Sequence, residues 1–239
     1  MKAAIFDFNG TLFDDTRFHV AAWQRFLNEK FSIKLTAERA RVECVGPSNT
    51  QIFRNFLGDD IASEQMHAWS LEKEEMYREV AREDVENFHL IDGVPEMFDM
   101  LTARGIPFAL ATGSELPNVE FYLEELGMKR WIGMDRIVYY EGSFPGKPDP
   151  AIYLEAMRRL NVAPEDCVVC EDTAAGIESA RRAGAGRIIA VDTTLSRDEL
   201  RANSAVYTVI HNYYDFSLPK GRLGRIRRHP SERRRSQSP

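Results

Sequence analysis

The chain has 239 residues, 44% hydrophobic, 28% charged and 10% aromatic, which suits a folded globular protein and excludes collagenous, mucin-like and wholly disordered classes. No apolar run approaches the roughly 18 residues needed to cross a bilayer, and the start Lys2-Ala3-Ala4-Ile5-Phe6 reaches Asp7 too soon for a signal peptide, so a cytoplasmic protein without membrane insertion is expected. The net charge of −6 divides into +7 on residues 220–239, where eight basic residues face one acid, Glu232, and −13 on residues 1–219; so acidic a body is not expected to hold nucleic acid, except weakly through the basic tail.

At about 150 residues per domain, the length predicts one large domain or a core carrying a smaller insertion. In chain order, short β-rich runs alternate with helical patterns. The first strand is Ala3–Phe6. It is followed, over residues 14–88, by helical patterns alone, among them Phe18–Lys30 and the charge-rich Ser63–Arg82; a helical block inserted after the first strand predicts a cap over the strand ends. The alternation then resumes. Strands are expected at Phe108–Ala111, Ile137–Tyr139, Cys167–Cys170, Ile188–Val191 and Ala205–Val209, and helices near 94–104, 115–126, 149–160, 173–183 and 196–202, opened by Gly93, Ser114, Pro148, Thr173 and Ser196. Because the strand runs are apolar on both faces, they predict a parallel sheet covered by helices. The fold expected is α/β, a Rossmann-like parallel sheet core (1–13 and 89–219) with an inserted α-helical cap (14–88) and a disordered basic tail (220–239).

Three cysteines, Cys44, Cys167 and Cys170, cannot frame disulfides in a chain of this length. Cys167-Val-Val-Cys170 spells a C-x-x-C, but residues three apart on a strand face opposite sides of the sheet. Neither a redox pair nor half a zinc site is expected there.

In such a sheet the ligand site lies beyond the carboxyl ends of the strands. Those ends deliver Asp7-Phe8-Asn9-Gly10-Thr11, Thr112-Gly113-Ser114 and Glu171-Asp172-Thr173, and Lys147 sits in Gly146-Lys147-Pro148-Asp149-Pro150. Carboxylates, hydroxyls and one ammonium at a single edge suit phosphoryl transfer to a carboxylate, provided the negative charge is neutralised first. Mg²⁺ does this with few oxygen ligands. Asp7 and Asp172 can serve as side-chain ligands, and Gly10 lets the backbone approach a phosphate closely.

These segments resemble, in order, the four motifs of the haloacid dehalogenase superfamily, in the phosphatase and β-phosphoglucomutase-like branch with a helical cap. The likeness covers most of residues 1–212, and His19 and Trp23 resemble a His-x-x-x-Trp pattern of that branch. The resemblance implies Asp7 as the nucleophile that forms an aspartyl-phosphate. It implies Mg²⁺ held by Asp7, the backbone carbonyl of Asn9 and Asp172, with Glu171 as a direct or more remote metal partner. Thr112 and Lys147 would bind the transferring phosphoryl group together with Gly10, Gly113 and Ser114, and His19 would touch the substrate, a small phosphorylated metabolite such as a sugar phosphate.

Asn9 departs from the pattern, because the branch usually carries a second aspartate there as general acid and base, and a neutral amide cannot do that work at neutral pH. Two rivals to a phosphatase follow: a sugar-phosphate mutase of the β-phosphoglucomutase kind, and a noncatalytic phosphometabolite-binding protein. The mutase reading looks for a phosphate-gripping arginine after Gly46, where the chain has Pro47-Ser48-Asn49 and only later Arg54; a phosphonate-cleaving reading would need a cap lysine such as Lys30 or Lys34. Taken singly, the motif residues also have plainer roles. Asp7 can cap a strand end, Glu171 and Asp172 can cap a helix, Lys147 can be a solvated loop lysine, and His19 with Trp23 can pack on a neighbouring helix. Asp14, Asp15 and Asp149 are expected to be turn and cap residues.

Overall fold

The computed structural model describes residues 2–142 and 144–216; the basic segment 220–239, expected to be a tail, lies outside the described residues. Six parallel strands form one sheet: β1 (Ala3–Phe6), β2 (Phe108–Ala111), β3 (Ile137–Val138), β4 (Cys167–Glu171), β5 (Arg187–Val191) and β6 (Thr208–Ile210), in the order β3-β2-β1-β4-β5-β6. The chain builds outward from β1 to β3, then returns to the other side of β1 with β4. This reversal opens a crevice at the carboxyl ends of β1 and β4, where α/β sheets bind ligands. Register places the site: Phe6 pairs with both Leu110 and Cys170, so Asp7, next along, stands level with Glu171.

Nine α-helices accompany the sheet among the described residues: α1 (Thr16–Phe31), α2 (Ala37–Cys44), α3 (Asn49–Leu57), α4 (Ser63–Glu83), α5 (Val94–Ala103), α6 (Leu116–Glu125), α7 (Ala151–Leu160), α8 (Ala174–Arg182) and α9 (Arg197–Ala202). One face of the sheet, with Ala4, Phe6, Val168 and Cys170, packs on α5 and α6. The other, with Ala3, Ile5, Cys167 and Val169, packs on α7, α8 and α9. Two-sided burial is why the strands read as unbroken apolar runs. It also separates Cys167 from Cys170 as expected, and burial pushes the Cys167 thiol up to about 12 and raises that of Cys170 further.

The interval before α5 is helical, as expected, and helices α1 to α4 enclose a cluster of their own around Trp23, Phe26, Leu27, Ile52, Phe53 and Met66. It does not part cleanly from the sheet. Phe18 and Ala22 of α1 and Tyr77 and Ala81 of α4 belong instead to the cluster of Phe8, Phe13 and Tyr122. The two connections between cap and core run side by side, the Ile91 amide donating to the Leu12 carbonyl at 2.9 Å.

Helix starts were legible where a hydroxyl caps. Thr173 accepts from Gly176 N, and Ser196 forms a reciprocal capping box with Glu199. Three expectations are corrected. Ser114 does not cap α6, which begins at Leu116 with Pro117 in its first turn, because the Ser114 hydroxyl turns inward to Asn9. Helix α7 begins at Ala151 rather than near Pro148, its first amide held by Asp149 Oδ1 at 2.9 Å. The last strand runs over Thr208–Ile210, later than Ala205–Val209, since Asn203 holds the start of that run in a turn, its carbonyl accepting from Val206 N and its Oδ1 from Ala205 N, both at 3.0 Å.

The cap's own cluster yields a stability test. Trp23, 1% exposed, packs edge-on against Phe53 at 5.3 Å and Phe26 at 6.0 Å. Trp23→Ala should lose about 3–5 kcal/mol in urea unfolding; a loss below about 1 kcal/mol would show that the cap does not depend on this cluster.

Candidate active site

Strand β1 ends in Asp7 and β4 in Glu171-Asp172, and the loop before α7 brings Lys147 between them. The Lys147 ammonium lies 2.5 Å from Asp7 Oδ1 and 2.6 Å from Glu171 Oε1. The same Glu171 oxygen accepts from the Tyr153 hydroxyl at 2.7 Å, and the Tyr153 ring lies under the ammonium at 5.0 Å. Glu171 Oε2 accepts from Asp172 N, Thr173 N and Thr173 Oγ1 at 3.0–3.1 Å. An anion at the N-terminus of α8 is favoured by the helix dipole. Gly176, in the first turn of α8, has no side chain because a Cβ there would collide with the Glu171 carboxylate.

Asp172, 1% exposed, is held by hydroxyls instead. Thr11 Oγ1 donates to Oδ1 at 3.0 Å, and Thr194 Oγ1 donates to Oδ2. Gly10 adopts φ +74, and a Cβ there would strike Asp172 Oδ2; only glycine lets the first loop lie this close to the carboxylate. One oxygen each from Asp7, Glu171 and Asp172 lies within 4.8 Å of the others.

Three buried carboxylates thus share one edge with a single ammonium, which pairs with Asp7 and Glu171. Burial pushes the Asp7 carboxyl up to about 7 despite Lys147, and burial, with Glu171 and Asp7 adding to it, raises Asp172 well above the usual carboxylate range. Burial opposes ionisation of Glu171 too, but Lys147, together with the hydrogen bonds from Tyr153 and Thr173, holds Glu171 below its ordinary value. Lys147, though buried, is raised by Asp7 and Glu171. The cluster is short of positive charge.

Asn9 belongs to a second network, shared with the cap. Its Oδ1 accepts from Ser114 Oγ at 2.7 Å and Thr112 Oγ1 at 3.3 Å, while its Nδ2 donates to Asp15 Oδ2 and to the Tyr122 hydroxyl, the latter at 2.9 Å. Two donors and two acceptors satisfy the amide completely. Asp15, expected to be a turn residue, does not cap α1. Buried to 4% exposure, it also accepts from the Tyr77 hydroxyl at 3.1 Å and lies 3.2 Å from His19 Nε2. The Lys73 ammonium stands 3.0 Å from His19 Nδ1, so Nδ1 accepts and Nε2 carries the hydrogen toward Asp15. Behind Lys73, Glu74 binds its ammonium at 2.7 Å, Asn49 at 2.9 Å and Asn118 of α6 at 2.7 Å. Burial alone would raise Glu74, but Lys73, with Asn49 also donating to it, holds it down at about 2.

Asp7, Asn9, Gly10, Thr112, Ser114, Lys147, Glu171 and Asp172 therefore gather at the sheet edge. His19 sits one step away, behind Asp15. Gly113 is exposed with open space around it. Asp149 is the helix-start residue expected, whereas Arg54 is 46% exposed on α3 and Lys30 pairs with Glu72 on the cap surface. Sequence reasoning missed Asp15, Lys73, Glu74, Asn118, Tyr122 and Tyr153, which the fold brings in from separate helices. It also missed Thr193 and Thr194, which sit at the end of β5 and carry the same strand-end signal as the others.

A family model of haloacid dehalogenase-like hydrolases matches residues 1–184. The chain belongs to the haloacid dehalogenase-like hydrolases. This hydrolase is 32% identical over 199 residues to the phosphorylated carbohydrates phosphatase of Thermotoga maritima, covering 82% of this chain and 88% of that protein. It is 31% identical over 180 residues to the fructose-1-phosphate phosphatase YqaB of Escherichia coli, covering 75% of this chain and 91% of that one. Among solved structures, a HAD hydrolase of family IA, variant 3, from Entamoeba histolytica superposes with a TM-score of 0.85 at 32% identity, over 91% of this chain and 96% of that chain. No helix among the described residues is long and apolar enough to cross a membrane.

The contact between Asn9 and Asp15 makes a prediction for this hydrolase. Asn9→Asp would set two carboxylates against each other, so the new group's pKa in the folded protein should exceed its unfolded value of about 3.9. The penalty is then absent below that value and grows as pH rises through the folded one. Urea unfolding should show a loss of about 1–3 kcal/mol at about pH 8 and less at about pH 4, with Asp15→Asn added in the same chain restoring most of it. An equal loss at both pH values would mean that the two side chains do not face each other.

Proposed function

We propose that this hydrolase is a Mg²⁺-dependent phosphatase of phosphorylated carbohydrates that works through a phosphoryl-Asp7 intermediate. The observation that carries the reading is the meeting of the buried Asp7, Glu171 and Asp172, with carboxylate oxygens within 4.8 Å of one another and a single ammonium, on Asp7 and Glu171, among them. An all-oxygen donor set short of positive charge fits a hard divalent cation that keeps several waters. Asp7, Asp172 and the backbone carbonyl of Asn9 would hold it. When bound, Mg²⁺ would neutralise the charge of the phosphate and of the attacking carboxylate. Glu171 is assigned a place behind the metal, because Lys147, Tyr153 and the start of α8 already engage both of its oxygens.

Asp7 acts as nucleophile: a carboxylate oxygen bonds to phosphorus as the bond from phosphorus to the sugar oxygen breaks, and water then splits the acyl phosphate to release phosphate and restore the carboxylate. Lys147 holds Asp7 in place and faces the transferring phosphoryl group. Thr112, Gly113, Ser114 and Gly10 receive its oxygens at the ends of β1 and β2, and His19 meets the carbohydrate side from the cap. The Asn9 amide can neither give nor take a proton at neutral pH, so position 9 contributes its backbone, and the departing oxygen is protonated by another group or by solvent. The carbohydrate phosphatases to which the chain is similar support the substrate class.

The test is phosphate release from a panel of sugar phosphates, nucleotides and acyl phosphates. Sugar phosphates should be hydrolysed, chelation should abolish turnover, and Mg²⁺ should restore it. Asp7→Asn should reduce turnover to the assay background, and Asp172→Ala should raise the Mg²⁺ concentration needed by at least about 10–100-fold. Mass spectrometry of the quenched wild type should find phosphate on Asp7. Full activity in excess chelator would overturn the metal assignment; no turnover on any ester, with phosphosugar binding retained, would favour the binding-protein rival.

A further inference from the structure

Besides the strand ends that supply the motif residues, β5 delivers a turn, Asp192-Thr193-Thr194, to the same edge. Two successive hydroxyls of this turn reach the two halves of the site. Thr193 Oγ1 donates to the carbonyl of Gly10 in the first loop, and Thr194 Oγ1 donates to Oδ2 of Asp172 at the end of β4. The three residues converge closely, since a Cβ on Gly10 would meet both Asp172 Oδ2 and Thr194 Oγ1, the second at 3.1 Å.

The turn is itself fastened. Asp192 binds Arg197 Nε at 2.7 Å through Oδ2 and His211 Nδ1 at 2.8 Å through Oδ1, and its amide donates to the Ile210 carbonyl at 3.1 Å. The Ser196–Glu199 capping box then starts α9 at once. Anchors on α9, on the residue after β6 and on β6 itself thus fix where the two threonines stand.

The kind of donor matters as much as its position. Lys147 sets a positive charge against the two carboxylates it holds, Asp7 and Glu171. Asp172 is held on both oxygens by hydroxyls, from Thr11 on one side and Thr194 on the other. Neutral donors fix the plane of a carboxylate and leave its charge available to a cation, and ligating carboxylates are commonly oriented by such partners.

We propose that Thr194 is a positioning residue for Asp172, turning that carboxylate toward the divalent cation, with Thr193 holding the Gly10 loop against it. This rests on the reading of Asp172 as a cation ligand given above. The discriminating variants are Thr194→Val, which keeps the shape and removes the hydroxyl, and Thr194→Ser, which keeps the hydroxyl.

Calorimetric titration of the full-length, substrate-free protein with MgCl₂ reads the effect directly. Thr194→Val should weaken Mg²⁺ binding by about 10–100-fold, and Thr194→Ser should remain within about 3-fold of the wild type. Thr194→Val removes a donor to a buried carboxylate, so its metal-free form should melt a few degrees below the wild type and remain folded at the titration temperature, whereas Thr194→Ser should melt with the wild type. Wild-type affinity in Thr194→Val would overturn the proposal, as would equal weakening in Thr194→Ser. Asp172→Ala serves as the control: if it binds Mg²⁺ as the wild type does, or if the wild type binds none, the metal assignment of Asp172 fails and the role of Thr194 fails with it.

Discussion

At the end of β1, one lysine ammonium is shared among carboxylates that burial has removed from water. Glu171 is well provided for, with Lys147, Tyr153 and three donors at the start of α8 around its two oxygens. Asp7 shares the ammonium and Asp172 has only hydroxyls. An isolated buried carboxylate is costly to ionise, so this edge of the sheet is the least self-sufficient place among the described residues. Several local features follow from that demand. Lys147 must be carried in on its own loop, Gly10 and Gly176 must lack side chains, and Tyr153 must give its hydroxyl to a glutamate.

Much of this could be read from the chain because a parallel sheet imposes a simple grammar. Strands buried on both faces are short apolar runs, and the polar residues that end them share one edge. Asp7, Thr112, Glu171 and Asp172 are legible in that way, and Thr194 lies within reach of the same rule. The Asp15, His19, Lys73, Glu74 and Asn118 network was not legible. Its members come from the residue before α1, from α1 itself, from the long α4 and from α6, and a charged pair such as Lys73-Glu74 within a charge-rich helix looks like a solvated surface until the fold buries it. Asp15 illustrates the ambiguity best. An aspartate just before a helix ordinarily caps it, and here the carboxylate turns away from the helix toward Asn9 and Tyr77.

That contact also changes how Asn9 is understood. In the sequence alone the asparagine looks like a motif with a piece removed. In the structure its amide satisfies two hydroxyl donors on one side and a carboxylate and a tyrosine oxygen on the other. The carboxylate beside position 9 comes from the residue just before the first cap helix instead of from the strand loop, and an amide is the group whose hydrogens complement it. The residue at 9 is fitted to its neighbour at 15, and the two are better regarded as one feature than as a loss at one place and a turn at another.

The way the cap is seated bears on how such an enzyme can diverge. Phe18, Ala22, Tyr77 and Ala81 share an apolar cluster with Phe8, Phe13 and Tyr122 of the core, whereas α2 and α3 contribute only to the separate cap cluster. Trimming or reshaping α1 or α4 would strip cover from the sheet, while the two short helices can be rebuilt without touching it. A change in α1 or α4 is therefore felt by the sheet as well as by the cap, whereas a change confined to α2 or α3 is felt first by the cap's own cluster.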